Sequence, residues 1–163
     1  MSMPHRSAVG SAGLCFVLQV TTGIGLGCGH PLEEGTYSFS VDQMKSNSCV
    51  TLDGNSVGIG DVDLLQLAWV DEDTFSLSNG ANPKEYEVDD QDQVSRSQTT
   101  TEELDGACKL RVDATFEGTI DSTTQFSTLG AWELSAEGWC DGVAAAEEFP
   151  CSLQFTTSCV KVE

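Results

Sequence analysis

The sequence predicts an all-β fold, and three observations support that prediction. Apolar and polar residues alternate in short runs along most of the chain, with the period of a half-buried strand. Turn-forming pairs such as Asn79-Gly80 and Asp105-Gly106 separate these runs. After residue 28, no segment sustains the apolar period of a helix. We therefore expect an antiparallel sandwich or an up-and-down barrel of about seven to eight strands.

The predicted strands follow one another closely through residues 36–163, which form a single β-domain. The first places Tyr37, Phe39 and Val41 on one face, as a half-buried strand does. The run 64–70 carries apolar residues on both faces, which predicts burial on both sides. In order, the predicted strands are 36–41, 49–52, 64–70, 74–78, 84–88, 108–117, 126–134 and 151–159. Polar outer faces and the lack of helical crossovers fit a sandwich or a lipocalin-like barrel.

The composition of residues 89–105 predicts a long mobile loop. Up to Glu103 the stretch contains a single apolar residue, Val94, among Asp, Gln, Ser and Thr. Such a segment buries too little apolar surface to offset the entropy lost when it is ordered.

Residues 1–27 have the form of an export signal. A short run with His5 and Arg6 and no acidic residue precedes the apolar stretch that begins at Leu14. A transmembrane helix needs about 20 apolar residues, and this stretch is shorter and interrupted by polar residues and glycines. Export is therefore the expectation.

The signal ends in Gly25-Leu26-Gly27-Cys28, which resembles the lipobox of bacterial lipoproteins. In that family the cysteine thiol receives diacylglycerol, and cleavage then makes it the first residue. Gly27 and Cys28 fit the motif, whereas Gly25 and Leu26 depart from the usual leucine and small residue. The resemblance implies lipid attachment at Cys28, an anchor and tether over 28–35, and the membrane as partner at the outer membrane or cell surface. Secretion without a lipid is the alternative.

Charge excludes some classes of partner. All 26 acidic residues lie after Cys28, where only six basic residues accompany them, so the mature net charge is −20. Nucleic-acid binding requires a basic surface and is not expected. The charge also disfavours adsorption of the domain to anionic lipid and keeps an exported protein soluble.

Cysteine content predicts disulfides, because exported chains of this size use cysteines mainly in this way. Five cysteines follow Cys28: Cys49, Cys108, Cys140, Cys151 and Cys159. Cys140 and Cys151 bracket the connection between the last two long strands, and we predict a bond between them, worth about 3 kcal/mol. If Cys28 is acylated, the remaining number is odd; if it is not, all six can pair.

Residues that would support catalysis are scarce. The only histidines, His5 and His30, precede the domain, so a Ser-His-Asp mechanism and a histidine-ligated zinc site are not expected. No cofactor motif occurs, and we predict no catalytic residue, no metal site and a binding or structural role. The partner is expected to be a small ligand, which a barrel of about eight strands can hold, or another protein of the envelope. A carboxylate-based hydrolase is the alternative from the enzyme class.

A third hypothesis is a calcium-stabilised adhesive module. In the stretch 53–63, Asp53, Asn55, Gly58 and Asp61 fall on positions of a calcium loop, but Val57 and Leu64 fail two others. A turn rich in Gly, Asp and Asn is the favoured interpretation.

The three tryptophans are candidates for ligand contact, since aromatic side chains line many pockets. Trp69 and Trp132 lie in strand pattern and are expected in the core. Trp139 follows a glycine beside Cys140 and is the better candidate for an exposed contact, although packing against a disulfide is favoured.

Overall fold

The computed structural model describes residues 29–50, 57–80, 82–143 and 146–162. Over these residues the chain forms eight strands and no α-helix. The strands are β1 (Gly35–Asn47), β2 (Val62–Trp69), β3 (Thr74–Ser78), β4 (Lys84–Val88), β5 (Gln93–Asp105), β6 (Cys108–Ser122), β7 (Gln125–Gly138) and β8 (Cys151–Lys161).

The strands form a closed up-and-down barrel. Each strand pairs antiparallel with the next, and β1 also pairs with β8, which closes the sheet. This confirms the predicted all-β class and, of the two predicted architectures, selects the lipocalin-like barrel. Because neighbours in sequence are neighbours in space, every connection joins adjacent strands.

The strands differ in length, so the two ends of the barrel differ. β3 and β4 have 5 residues each, whereas β5 has 13 and β6 has 15. β4 pairs with β5 only at Glu87↔Ser95 and Val88↔Val94. All eight strands surround the end where β1 begins, which we call the closed end. At the opposite, open end the wall consists of β5–β8 and β1.

The prediction of a mobile loop over 89–105 is wrong from Gln93 onwards. Residues 93–105 form β5, which pairs with β6 along its whole length. Most of β5 after Arg96 is exposed on both faces, so its side chains show no apolar alternation. The backbone ladder to β6 and a run of β-branched threonines stabilise the strand instead.

Two other predicted details are wrong. The strand expected at 49–52 is not formed at Cys49 or Val50, and residues 51–52 lie outside the described residues. The expected double burial of 64–70 fails because the outer face of β2 meets solvent: Leu64 is 62% exposed. A barrel wall without covering helices has only one buried face.

The closed half of the barrel is filled by aromatic side chains. Phe75 stacks on Tyr86 with ring centroids 5.3 Å apart, and Phe126 contacts both rings edge to face. All three side chains are at most 1% exposed. A glycine leaves room for a further aromatic ring, that of Phe155: a Cβ built at Gly130 would lie 2.6 Å from this ring. Large residues facing small ones are how a narrow barrel fills its interior.

Residues 29–34, predicted as part of a tether, pack across the closed end. Leu32 is buried, and its carbonyl accepts a 2.9 Å hydrogen bond from the Trp69 indole. The Tyr37 hydroxyl donates to the Glu33 carbonyl at 2.7 Å. Lys161 donates to the Glu33 carboxylate at 2.8 Å and thereby lowers its pKa. The chain therefore enters the barrel at the closed end.

The predicted Cys140–Cys151 disulfide is wrong. Cys108 bonds Cys140 and Cys49 bonds Cys151. The register explains the first bond: Cys108 pairs with Gly138, which places the connection after β7 beside the start of β6. Both disulfides lie at the open end, where the aromatic core does not reach.

Cys159 is the one free cysteine of the described residues and is completely buried. Burial raises the pKa of its thiol to about 12. Because the thiolate is the reactive form, the thiol is expected to be inert in the folded protein.

Alkylation of the folded, unreduced protein is therefore expected to leave Cys159 unmodified, and alkylation after unfolding to modify it alone among the described cysteines. Peptide mapping by mass spectrometry should find the linked pairs Cys49–Cys151 and Cys108–Cys140. A linked Cys140–Cys151 peptide, or rapid labelling of Cys159 in the folded state, would contradict this account.

Gly118 is expected to tolerate no side chain. A Cβ at this position would lie 1.8 Å from the Ser127 carbonyl oxygen, so Gly118→Ala must separate β6 from β7. We expect urea denaturation to show a loss of at least about 1–3 kcal/mol in the free energy of unfolding. The matched control is Gly29→Ala, where a Cβ meets no atom within 4 Å. Equal stability of the two variants would refute the expected clash.

Candidate functional site

The open end contains two adjacent cavities, which together we call the mouth cavity. The larger has a volume of about 280 Å³ and lies against β5 and β6. The smaller has a volume of about 200 Å³ and lies against β1, β2 and β8. Lys84, Phe116 and Trp132 line both. These volumes approach the lower end of the range of small-molecule pockets, about 300 Å³.

Strand alternation places the lining residues. Arg96 pairs across the sheet with Phe116, and Gln98 pairs with Ala114, which pairs in turn with Trp132. Paired residues share a face, so this row of side chains lies on the inner surface of β5, β6 and β7. Below it, Val94 is buried in the core. Arg96 therefore lies where the filled half of the barrel meets the mouth cavity.

Two cations line the mouth cavity and rest on aromatic rings. The Arg96 guanidinium lies 5.2 Å from the ring centroid of Phe116 and 5.7 Å from that of Tyr86. It also donates to the Gln98 side-chain oxygen. The Lys84 ammonium lies 5.8 Å from the Phe39 ring. Distances within about 6 Å are those of attractive cation–π contacts.

Neither cation forms an ion pair with a described carboxylate. The ion pairs among the described residues join Arg111 to Asp113 and Glu137, and Lys161 to Glu33. Tyr86 cannot serve as a counter-charge, because burial raises the pKa of its phenol to about 12 although Arg96 opposes the rise. The Tyr86 phenol is thus neutral, and it supplies no negative charge to Arg96 at the wall of the cavity.

Carboxylates also line the mouth cavity. Asp61 and Asp63 line only the smaller cavity, and Glu102 lines only the larger one. Of the two cations, Lys84 lines both cavities and Arg96 lines only the larger one.

The indole nitrogen of Trp132 is a buried donor with no hydrogen-bond partner among the described residues. Trp132 contacts Phe155 edge to face at 5.5 Å and lines both cavities. An unsatisfied buried donor costs about 1–3 kcal/mol. The mouth cavity thus combines two cations with aromatic walls, which is a set of groups suited to binding.

A larger groove of about 420 Å³ lies outside the barrel along the gap between β4 and β5. Glu85, Glu87 and Glu117 line it, together with the outer side of Arg96. Its surface is more polar and more acidic than the mouth cavity. We therefore regard the mouth cavity, with its aromatic and inward-facing walls, as the candidate site.

The candidate residues identified in the sequence lie in different parts of the structure. Trp132 lines the mouth cavity, Trp69 is hydrogen-bonded at the closed end, and Trp139 is 76% exposed rather than packed on a disulfide. Cys28 lies outside the described residues, as do residues 53–56 of the calcium-loop candidate. No group of three or more His, Cys, Asp or Glu among the described residues is placed to hold a metal ion.

Sequence reasoning missed Lys84 and Arg96. Arg96 lies in the stretch interpreted as a loop, and Lys84 begins a strand of only 5 residues. The available signal was the spacing Val94-Arg96-Gln98, which continues the inward face of β5 beyond Val94. Without the partner strand β6, that spacing is not distinguishable from chance.

Comparison of the chain with protein-family models, curated proteins and solved structures finds no match. The described residues include no helix with the length and apolarity needed to cross a membrane. The fold and the site therefore define the class by themselves: an up-and-down barrel of eight strands with a ligand-sized cavity at one end.

Trp69→Phe and Trp132→Phe make the same chemical change in two different environments. The first removes the hydrogen bond to the Leu32 carbonyl, whereas the second removes a donor without a partner. We expect Trp69→Phe to lose about 1–3 kcal/mol more free energy of unfolding than Trp132→Phe, measured by urea denaturation. An equal loss, or a larger loss for Trp132→Phe, would show that the Trp132 donor is satisfied in the protein.

Proposed function

We propose that this chain is a lipid-anchored protein of the cell envelope whose barrel binds one small ligand in the mouth cavity. The observation that supports ligand binding is the pair of cations, Lys84 and Arg96, in one cavity with aromatic walls. Arg96 is half-buried and has no ion-pair partner among the described residues. A bound molecule with an acceptor group would provide a partner for both cations.

The geometry of the N-terminus supports anchoring at Cys28. Gly29 follows Cys28 directly, and residues 29–34 pack across the closed end. Acyl chains on Cys28 would hold the closed end against the membrane and leave the mouth cavity facing away from it. Several acyl chains anchor a protein stably without any spanning helix.

The cysteine pairing also supports acylation. Cys49, Cys108, Cys140 and Cys151 are used in two disulfides, and Cys159 is buried within the barrel. None of the described cysteines therefore offers an accessible thiol to Cys28. The odd number of cysteines that remains after acylation is accommodated by burying one of them.

A binding role accounts for the mouth cavity better than a catalytic one. The cavity lining includes no histidine, cysteine or serine among the described residues, so the common nucleophile and base pairs are not assembled there. Its aromatic walls and cations serve recognition directly.

The anchoring is tested by intact mass after fractionation of the native host. Wild-type protein should appear in the membrane fraction with a mass that begins at Cys28 and includes acyl chains. Cys28→Ala should move the protein out of that fraction, whereas the control Cys15→Ala, within the signal, should remain in it. A soluble wild-type protein without acyl chains would contradict the anchor and leave the ligand site to be judged separately.

A further inference from the structure

We infer that the ligand of the mouth cavity is an amphipathic anion: a short apolar chain with a singly charged acidic headgroup, such as a carboxylate, bound at Lys84 and Arg96. This inference rests on the proposed ligand-binding function and adds the chemical class of the ligand.

The distribution of charge is the first argument. After Cys28 the chain has 26 acidic residues and only six basic ones, and two of those six line the mouth cavity. Among the others, Arg111 and Lys161 form ion pairs with carboxylates. Lys45 and Lys109 also pair with no described carboxylate, but both are exposed and line neither cavity. Lys84 and Arg96 differ from them because they line one cavity together, which in a chain so rich in carboxylates marks a place where a negative charge is accepted from outside.

The support of Arg96 is the second argument. Its guanidinium lies within cation–π distance of the Tyr86 and Phe116 rings and donates hydrogen bonds to Gln98 and to the Tyr86 phenol. A guanidinium carries five N–H donors in a planar fork that matches a carboxylate. These two bonds leave the remaining donors of the fork for a ligand. A hydrogen bond between charged partners is about twice as strong as a neutral one.

The remaining lining fits a short apolar chain. Val112 and Ala114 lie beside the cations in the larger cavity, and Phe39, Val41 and Phe155 line the smaller one. The volume of about 280 Å³ limits the chain to a short one. The Trp132 ring lines both cavities and adds apolar surface.

The carboxylates of the lining restrict the charge of the ligand further. Asp61, Asp63 and Glu102 line the same cavities as the cations and repel a second negative charge. Ligands with two negative charges are therefore disfavoured. The same carboxylates would attract a cationic ligand, which makes an amphipathic cation the competing outcome of the test.

The test uses three probes with the same chain and different headgroups: octanoate, 1-octanol and octylammonium. Calorimetric titration of the mature protein at low ionic strength is expected to show octanoate binding about tenfold or more tightly than octanol. Octylammonium is expected to bind no more tightly than octanol. Added salt should weaken the binding of octanoate and leave octanol unaffected.

Variants assign the selectivity to the two cations. Arg96→Gln and Lys84→Gln should each weaken octanoate binding about tenfold and leave octanol unchanged. The matched control is Lys45→Gln, which removes the same charge from an exposed position outside the cavity and should change neither affinity. Arg96→Lys keeps the charge but not the planar fork. Its affinity for octanoate should lie between those of the wild type and Arg96→Gln. If one glutamine variant fails to fold, the other still decides the result.

The outcomes separate the two proposals. If none of the three probes binds, ligand binding in the mouth cavity is refuted, and the inference with it. If octanol or octylammonium binds as tightly as octanoate, the inference is wrong while the binding function stands. The inference is equally overturned if octanoate affinity is unchanged in both glutamine variants.

Discussion

The shortness of the β3–β4 hairpin is the constraint on which the rest of the structure depends. Both strands have only 5 residues, so the barrel is complete over roughly one half of its height. In that half, aromatic rings from β3, β4 and β7 fill the interior and supply the apolar burial that stabilises the fold. Beyond the hairpin the taller strands enclose space, and two disulfides connect the loops there. Packing thus stabilises the closed end and covalent bonds stabilise the open one.

The division of the barrel into a packed half and an open half also determines where the candidate site lies. A line of ring contacts runs from His30 and Trp69 at the closed end through Phe75 and Tyr86 towards the mouth. Arg96 contacts the rings of Tyr86 and Phe116, which end this line of contacts at the border between the core and the mouth cavity. The cation is held by the core that it borders. Arg96 of the candidate site is therefore supported by the packed half of the barrel.

The sequence predicted those parts of the fold in which one face of a strand is buried. β6, β7 and β8 alternate clearly because their inner faces meet the core, and their predicted positions agree with the structure. β5 escaped prediction because both of its faces are exposed after Arg96. The disulfide partners escaped because pairing depends on register: Cys108 meets the chain beyond Gly138 only once β6 and β7 are aligned. Lys84 and Arg96 were also missed because their neighbours across the sheet depend on strand register.

The most direct test of this account is the location of a bound amphipathic anion. Amide and indole resonances of the ¹⁵N-labelled mature protein can be followed during titration with octanoate. The account predicts shift changes at Lys84, at residues 96–102 and at the Trp132 indole, with the closed end around Leu32 and Trp69 unchanged. Shift changes centred on the closed end, or on the outer groove at Glu85 and Glu117, would contradict the assignment of the mouth cavity as the binding site.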